Sequence, residues 1–200
     1  MTVIMRFWLK ESEGKWMSTI KNLDALFSKL DAISEDSASV LSKAMTKGAK
    51  LIQGSAKLLC PVKEGKGGDL RESIKTKTSA KDGVVESTVY TNKSYAAYVE
   101  FGTGPRGAAS AKELPEGLEI QYKSDGWWIP VGDGENEISQ EDVEKYGMFT
   151  LTYEDKTFAY SQGQPAQPFL YPAFTSNKDK VVQVVANAVK KGIKEAIKND

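Results

Sequence analysis

The stretch "YAAYVEFGTGPRG", residues 95–107, decides how the whole chain is interpreted. Its three glycines, Gly102, Gly104 and Gly107, have the G-x-G-x-x-G spacing of a dinucleotide-binding turn. Such a turn needs an apolar strand that leads into the first glycine and a helix that leaves the last one. Here Glu100 would place a negative charge beside the phosphates, and a proline soon interrupts the segment that follows. The residues therefore favour a sharp turn whose glycines adopt positive φ over a nucleotide site.

Aromatic side chains recur every three residues before this turn, which is the spacing expected on one face of a short helical segment. Glu100 would then point in another direction, and a buried carboxylate usually pairs with arginine or with backbone N–H groups. The aromatic residues are Tyr95, Tyr98 and Phe101, and the candidate cations are Arg71 and Arg106.

Composition narrows the classes of function. The 200 residues include 27 basic and 27 acidic side chains, so no basic excess indicates nucleic acid or a membrane surface. Histidine is absent, which removes histidine-based catalytic triads and histidine metal ligands. The single cysteine, Cys60, cannot form an internal disulfide or a structural zinc site. No apolar run reaches the roughly 18 residues of a membrane span. We therefore expect no metal, no cofactor and no membrane partner.

Apolar residues at helical spacing predict helices over residues 20–33, over 37–59 and from about 173 to 198. Pro61 should end the second helix, and Pro172 can stand in the first turn of the last one. Residues 1–16 are predicted to be an N-terminal extension, because Met17 opens a segment that reads like a natural start. Residues 17–200 then form a single domain.

Alternating β-branched residues predict strands over 73–79 and 84–91, joined by an Asp-Gly turn. Residues 107–165 are predicted to be an acidic, β-rich insert, with strands over 118–123 and 126–132. The insert should also hold a short helix capped by Ser139 and a hairpin at Glu154-Asp155. Its acidic residues either form a solvated face or present negative charge to a partner or channel. The predicted class is α+β: a small antiparallel sheet flanked by N-terminal helices and a C-terminal amphipathic helix.

Three segments carry a family resemblance: "CPVKEGKGGDLRESI" (60–74), "SYAAYVEFGTGPRG" (94–107) and "QPAQPFLYPAF" (164–174). Followed by a terminal amphipathic helix, they resemble the head–tail joining or tail-completion proteins of tailed bacteriophages and prophages. The positions that match the family pattern are Pro61, Leu70, Arg71, Ser73, Ile74, Tyr95, Ala96, Tyr98 to Thr103, Ala166, Pro168, Phe169, Leu170, Pro172 and Ala173.

The resemblance implies an α+β, non-enzymatic component of the virion neck, assembled in the cytoplasm of a bacterial host. It implies a homo-oligomeric ring between head–tail adaptor or stopper proteins and tail-terminator or tail-tube proteins. DNA would pass through such a ring without specific binding.

A closed ring needs two different contact patches on each subunit, and rigid aromatic side chains suit such patches. The alternative for Phe101 and Phe169 is that they fill the core of the subunit. One candidate patch comprises Tyr95, Tyr98, Glu100, Phe101 and Arg106, with Arg71 as a further interface residue, and the other comprises Trp127, Trp128, Phe169 and Tyr171.

Two other classes of function remain open from the residues. One is a monomeric bacterial binding module. The other is a carboxylate-based hydrolase in which Glu100 and an acid such as Asp125 converge on a cleft.

Overall fold

The computed structural model describes residues 3–7, 37–62, 68–81, 84–134 and 136–198. The chain divides into two compact units. The first unit comprises Met1–Ala96, Glu113–Leu118 and Pro168–Asp200, and the second comprises Ala97–Lys112 and Glu119–Gln167. Helices and two small antiparallel sheets confirm the predicted α+β class. The helix predicted over 20–33 lies outside the described residues.

The sheet of the first unit has three antiparallel strands in the order β1-β3-β2. They are β1 (Val3–Phe7), β2 (Lys75–Lys81) and β3 (Val84–Thr91), so the predicted hairpin is confirmed as the β2–β3 pair. Every second side chain of β3 is buried, as expected for a strand with one face on the core. The turn residues 82 and 83 lie outside the described residues. β1 falls within residues 1–16, and the boundary at Met17 stays a prediction.

Two long helices of the first unit, α1 (Ser37–Leu59) and α6 (Leu170–Lys198), pack against each other. The pairs Gly48 with Val181 and Gly192 with Val40 show that they run antiparallel. Glycine is required at this crossing, because a Cβ on Gly48 would lie only 2.8 Å from Cγ1 of Val181. Both predicted helices are confirmed, and α6 begins three residues before the predicted start.

The short helix α2 (Asp69–Ser73) explains the family pattern around it. Arg71 donates a hydrogen bond to the carbonyl of Cys60 at 2.9 Å, which ties α2 to the end of α1. The hydroxyls of Ser73 and Thr91 lie 2.6 Å apart in the interior, and Ile74 is fully buried. The Leu-Arg-x-Ser-Ile pattern is therefore explained by packing and hydrogen bonds within the first unit.

The second unit holds α3 (Ala96–Phe101, whose first residue belongs to the first unit), α4 (Gly104–Ala109) and α5 (Gln140–Lys145). Its sheet has the strand order β4-β6-β5. The strands are β4 (Trp127–Pro130), β5 (Thr150–Tyr153) and β6 (Lys156–Ser161).

Local signals in the second unit are largely confirmed. The hydroxyl of Ser139 accepts a hydrogen bond from the N–H of Asp142 and caps α5. Glu154 and Asp155 both have positive φ, the geometry of a tight two-residue hairpin turn. The strand predicted over 118–123 is wrong, because those residues form no strand. This segment is anchored by a side chain and not by hydrogen bonds to a neighbouring strand. The Tyr122 hydroxyl donates to the Phe101 carbonyl at 2.9 Å.

Candidate assembly surfaces

The glycine-rich corner joins α3 to α4. Gly102 has φ of 76° and Gly104 has φ of 57°, so both occupy the left-handed region that disfavours other residues. Pro105 stands in the first turn of α4, where its fixed φ is accommodated. The predicted sharp turn is confirmed, and a helix rather than a strand leads into the first glycine.

The corner is held by a second segment of the same unit, residues 162–167. The N–H of Thr103 donates to the carbonyl of Gln164 at 3.0 Å, and the N–H of Arg106 donates to that of Gln162 at 3.2 Å. The Gln164 side-chain amide donates to the Tyr98 carbonyl at 2.8 Å. Two of the three segments that carry the family resemblance are thus hydrogen-bonded to each other.

This contact explains the glycines without a ligand. A Cβ on Gly102 would lie 2.7 Å from the backbone N of Ala166, from the carbonyl oxygen of Gln164 and from the Cα of Gly107. A Cβ on Gly104 would lie 2.7 Å from the carbonyl oxygen of Gln162. The space beside these glycines is filled by protein backbone, so the corner is not a phosphate cradle.

The first predicted patch lies partly at the surface. Tyr95, Tyr98 and Arg106 are exposed, while Phe101 is half-buried. Glu100 is only 2% exposed, so its side chain offers almost no surface to a partner. Arg71 is also exposed and lies on α2 in the first unit.

The second predicted patch is divided between the two units. Trp127 and Trp128 belong to the second unit, where Trp127 is half-buried and Trp128 is exposed. Phe169 and Tyr171 belong to the first unit. Phe169 is fully buried, as in the alternative that it fills the core, and the ring of Tyr171 lies beside that of Phe174. The assignment of either patch to an interface stays a prediction.

The sheet of the second unit carries an exposed apolar face that was not predicted from the sequence. Strand register places seven large apolar or aromatic side chains on this face, together with Lys156 opposite Tyr153, and the ring of Trp128 lies 5.9 Å from that of Phe149 and 5.2 Å from that of Tyr160. The exposed fractions are 67% for Phe149, 52% for Leu151 and 64% for Tyr153. We name these residues the aromatic sheet face: Trp128, Pro130, Phe149, Leu151, Tyr153, Phe158 and Tyr160.

Alternation in residues 149–153 was the signal that could have identified this face. Phe149, Leu151 and Tyr153 alternate with two threonines, which is the pattern of a strand with one apolar side. The pattern alone does not reveal whether that side meets a core or solvent. The structure places it in solvent.

A groove of about 670 Å³ in the second unit is lined by aromatic and backbone groups, including Trp127, Tyr146 and Gln164. Among the described residues that line this groove, Arg106 is the one charged side chain, and none is a carboxylate. Within the described ranges, no group of three or more potential ligands could hold a metal ion. No helix in the described part of the chain is long and apolar enough to cross a membrane.

The described residues thus form an α+β fold with an exposed apolar face on the sheet of the second unit. Residues 24–102 match a family model described as "Bacteriophage HK97-gp10, putative tail-component". The matched span includes α1, α2, the β2–β3 hairpin and the start of the glycine corner. The match confirms the resemblance to phage head–tail and tail-completion proteins, and it supports a structural phage protein located in the virion. No curated protein and no solved structure matches the chain.

Proposed function

We propose that this protein is a non-catalytic subunit of a homo-oligomeric ring in the virion neck, where it joins the head to the tail. Its neighbours in the particle would be head–tail adaptor or stopper proteins on one side and tail-terminator or tail-tube proteins on the other. The similarity to a phage tail component supports a location in the virion. The aromatic sheet face carries the argument for assembly.

Large exposed apolar patches on small proteins usually mark binding surfaces, because each exposed ring stays in unfavourable contact with water. The aromatic sheet face includes Trp128 at 43% exposure, and Phe149, Leu151 and Tyr153 are all more than half exposed. Within the described part of this sheet, β5 also lies at an edge. An exposed apolar edge strand invites pairing or aggregation unless a partner covers it.

The first unit carries a different exposed apolar surface. Leu51, Leu58 and Leu59 are exposed on the last three turns of α1, and Val62 follows them. Leu58 is 85% exposed, and together with its exposed apolar neighbours it forms a patch of the kind that marks a binding surface. Two unlike surfaces on one chain are what a heterologous interface requires, and such an interface generates rings when its rotation closes.

The hydrolase alternative receives little support from the same geometry. Glu100 is almost fully buried, whereas Asp125 is exposed. The described lining of the groove in the second unit has no carboxylate. A glycosidase-type mechanism needs two carboxyl groups that flank one cleft. The monomeric binding module makes a different prediction about mass, which the first experiment below tests.

The acidic character of the second unit fits the passage of DNA without adhesion. Eleven acidic side chains stand against five basic ones in this unit. If this unit lined the channel, repulsion between carboxylates and phosphates would keep DNA from sticking.

Light scattering on the purified chain, followed by electron microscopy, tests the ring. We expect a concentration-dependent oligomer and annular particles, and a monomer at all concentrations would contradict the proposal. The variant Leu151→Ser/Tyr153→Ser should shift the mass towards monomer. The matched control is Thr150→Ser/Thr152→Ser, on the other face of β5, which should assemble normally.

A second experiment tests the role in the particle. Lysates of a phage that lacks this gene should contain DNA-filled heads and separate tails, and supplying the wild-type chain should restore joined particles. Restoration by Leu151→Ser/Tyr153→Ser to the wild-type level would contradict the role of the aromatic sheet face.

A further inference from the structure

We infer that the aromatic sheet face of one copy docks onto the exposed side of α1 in the next copy. This inference rests on the proposed oligomer and names the two surfaces that make its repeating contact. The occupant of each surface is therefore a second copy of this chain.

Charge is divided unequally between the two units. The first unit has 22 basic and 16 acidic side chains, an excess of six positive charges. The second unit has an excess of six negative charges, so the chain as a whole is neutral. Opposite charge on two units of one chain favours contact between the second unit of one copy and the first unit of another. Two identical units brought together would repel each other.

The exposed side of α1 is both basic and apolar. Lys43, Lys47 and Lys50 are exposed and recur at three- or four-residue spacing, which places them on one side of the helix. Leu51 and Leu58 continue that side towards the end of α1. The helix contains four lysines and no acidic residue. We name Lys43, Lys47, Lys50, Leu51 and Leu58 the α1 face.

The aromatic sheet face has the complementary character. Its apolar residues on β5 end at the exposed turn of Glu154 and Asp155, whose two carboxylates outnumber the one exposed lysine of this face, Lys156, which lies opposite Tyr153. Aromatic anchors at the centre with charged groups at the rim are the usual anatomy of a specific interface. The leucines of the α1 face would cover the aromatic rings, and its lysines would meet the acidic rim.

The contact joins unlike surfaces, so each copy can donate its sheet to one neighbour and its helix to the other. Repetition of this contact gives a closed ring or an open chain, not a symmetric dimer. This is the feature that crosslinking can test, because a symmetric dimer would bring two copies of the same residue together.

The experiment uses full-length Leu51→Cys and Leu151→Cys variants and a bis-maleimide reagent that bridges thiols near each other. The wild type is the control for the native Cys60, which is buried. We expect a mixture of the two single variants to give a crosslinked dimer, while each variant alone gives none. The double variant should give a ladder of crosslinked species.

Three other outcomes would overturn the inference or its basis. A crosslinked dimer with Leu151→Cys alone would mean that two aromatic sheet faces meet, and it would overturn the inference. If light scattering shows an oligomer but the mixture gives no crosslink, this pairing of surfaces is overturned, while the proposed ring is not. A monomer by light scattering would overturn the proposed function itself.

Charge reversal provides an independent test. Lys47→Glu should weaken assembly by about tenfold, because it places a like charge against the acidic rim. Lys190→Glu is the matched control, since Lys190 is an exposed lysine of the first unit that lies on α6. Equal loss of assembly in both variants would mean that only net charge matters, and it would overturn the specific pairing.

Discussion

Thr103 and Gln164 are 61 residues apart and bond to each other in both directions. The N–H of Thr103 donates to the Gln164 carbonyl at 3.0 Å, and the N–H of Gln164 donates to the Thr103 hydroxyl at 3.1 Å. The glycine corner is therefore a joint between two distant segments of the second unit. Its stability should depend on the backbone approach that the glycines allow.

Replacement of Gly102 by alanine tests this joint. The added Cβ would meet three backbone atoms at 2.7 Å and would also have to adopt φ of 76°. Backbone strain and overpacking together should lower the free energy of unfolding by about 3 kcal/mol. Urea denaturation followed by fluorescence measures the change.

The control separates strain from crowding. Gly147 also has positive φ, at 55°, but an added Cβ would have no atom within 4 Å. Gly147→Ala should therefore cost only the strain, about 1 kcal/mol. Equal losses in the two variants would mean that the close approach at Gly102 contributes nothing.

Two glycines of α1 should respond to alanine substitution in opposite directions, because only one of them lies at the crossing with α6. Gly48→Ala should destabilise the protein by about 1–3 kcal/mol, because the Cβ would lie 2.8 Å from Val181. Gly54 stands on the same helix with open space around it, so Gly54→Ala should stabilise by about 0.5–1 kcal/mol. Thermal unfolding of both variants measures the difference.

A second substitution tests the cause. If crowding against Val181 explains the loss, Val181→Ala should cost less in the Gly48→Ala background than in the wild type. Simple additivity of the two free-energy changes would argue against direct contact at this crossing.

Local regularity explains how much of this fold could be predicted. The stripe of apolar residues over 37–59 and the alternation over 73–79 and 84–91 each depend on neighbours in sequence, and the predicted helix and the β2–β3 pairing are both confirmed. The pairing of Thr103 with Gln164 could not be predicted, because it depends on where a distant segment returns. The predicted strand over 118–123 was wrong for a related reason: alternation marks two faces, but a strand also needs a partner edge.

For the surfaces, too, local sequence patterns predicted some features and not others. Spacing identified Tyr98 as one side of a helical turn, and the structure places it at the surface, 56% exposed. Hydropathy could not distinguish Phe169, which is buried, from Phe149, which is mostly exposed. Burial depends on how the whole chain folds, and the pattern of apolar residues in a single sequence does not determine it.

The buried hydroxyl pair in the first unit supplies a third stability test. The Ser73 hydroxyl donates its one hydrogen to the Leu70 carbonyl at 2.7 Å, so it accepts the hydrogen bond from the Thr91 hydroxyl at 2.6 Å. Ser73→Ala should cost about 1–2 kcal/mol, since it leaves the buried Thr91 hydroxyl with one fewer partner. Ser79→Ala, at an exposed position of β2, should change the free energy of unfolding by less than about 0.5 kcal/mol.

Thr91→Val in both backgrounds completes a double-mutant cycle. A direct bond predicts a coupling free energy of about 1 kcal/mol between the two positions, measured by urea denaturation. A coupling indistinguishable from zero would contradict the bond.

Tyr98 offers a test that separates assembly from stability. Its carbonyl accepts hydrogen bonds from the N–H of Gly102 and the side chain of Gln164, but alanine keeps that carbonyl. Tyr98→Ala should therefore leave the unfolding midpoint nearly unchanged. If its exposed ring belongs to a contact patch, the variant should weaken oligomer formation by about tenfold, as loss of an aromatic anchor usually does.

Tyr122→Phe should behave in the opposite way. The Tyr122 hydroxyl donates to the Phe101 carbonyl at 2.9 Å, so its removal should lower the free energy of unfolding by about 1 kcal/mol. Assembly measured well below the unfolding temperature should not change. Light scattering and thermal unfolding on both variants give the comparison, and unaltered assembly of Tyr98→Ala would remove that ring from the contact patch.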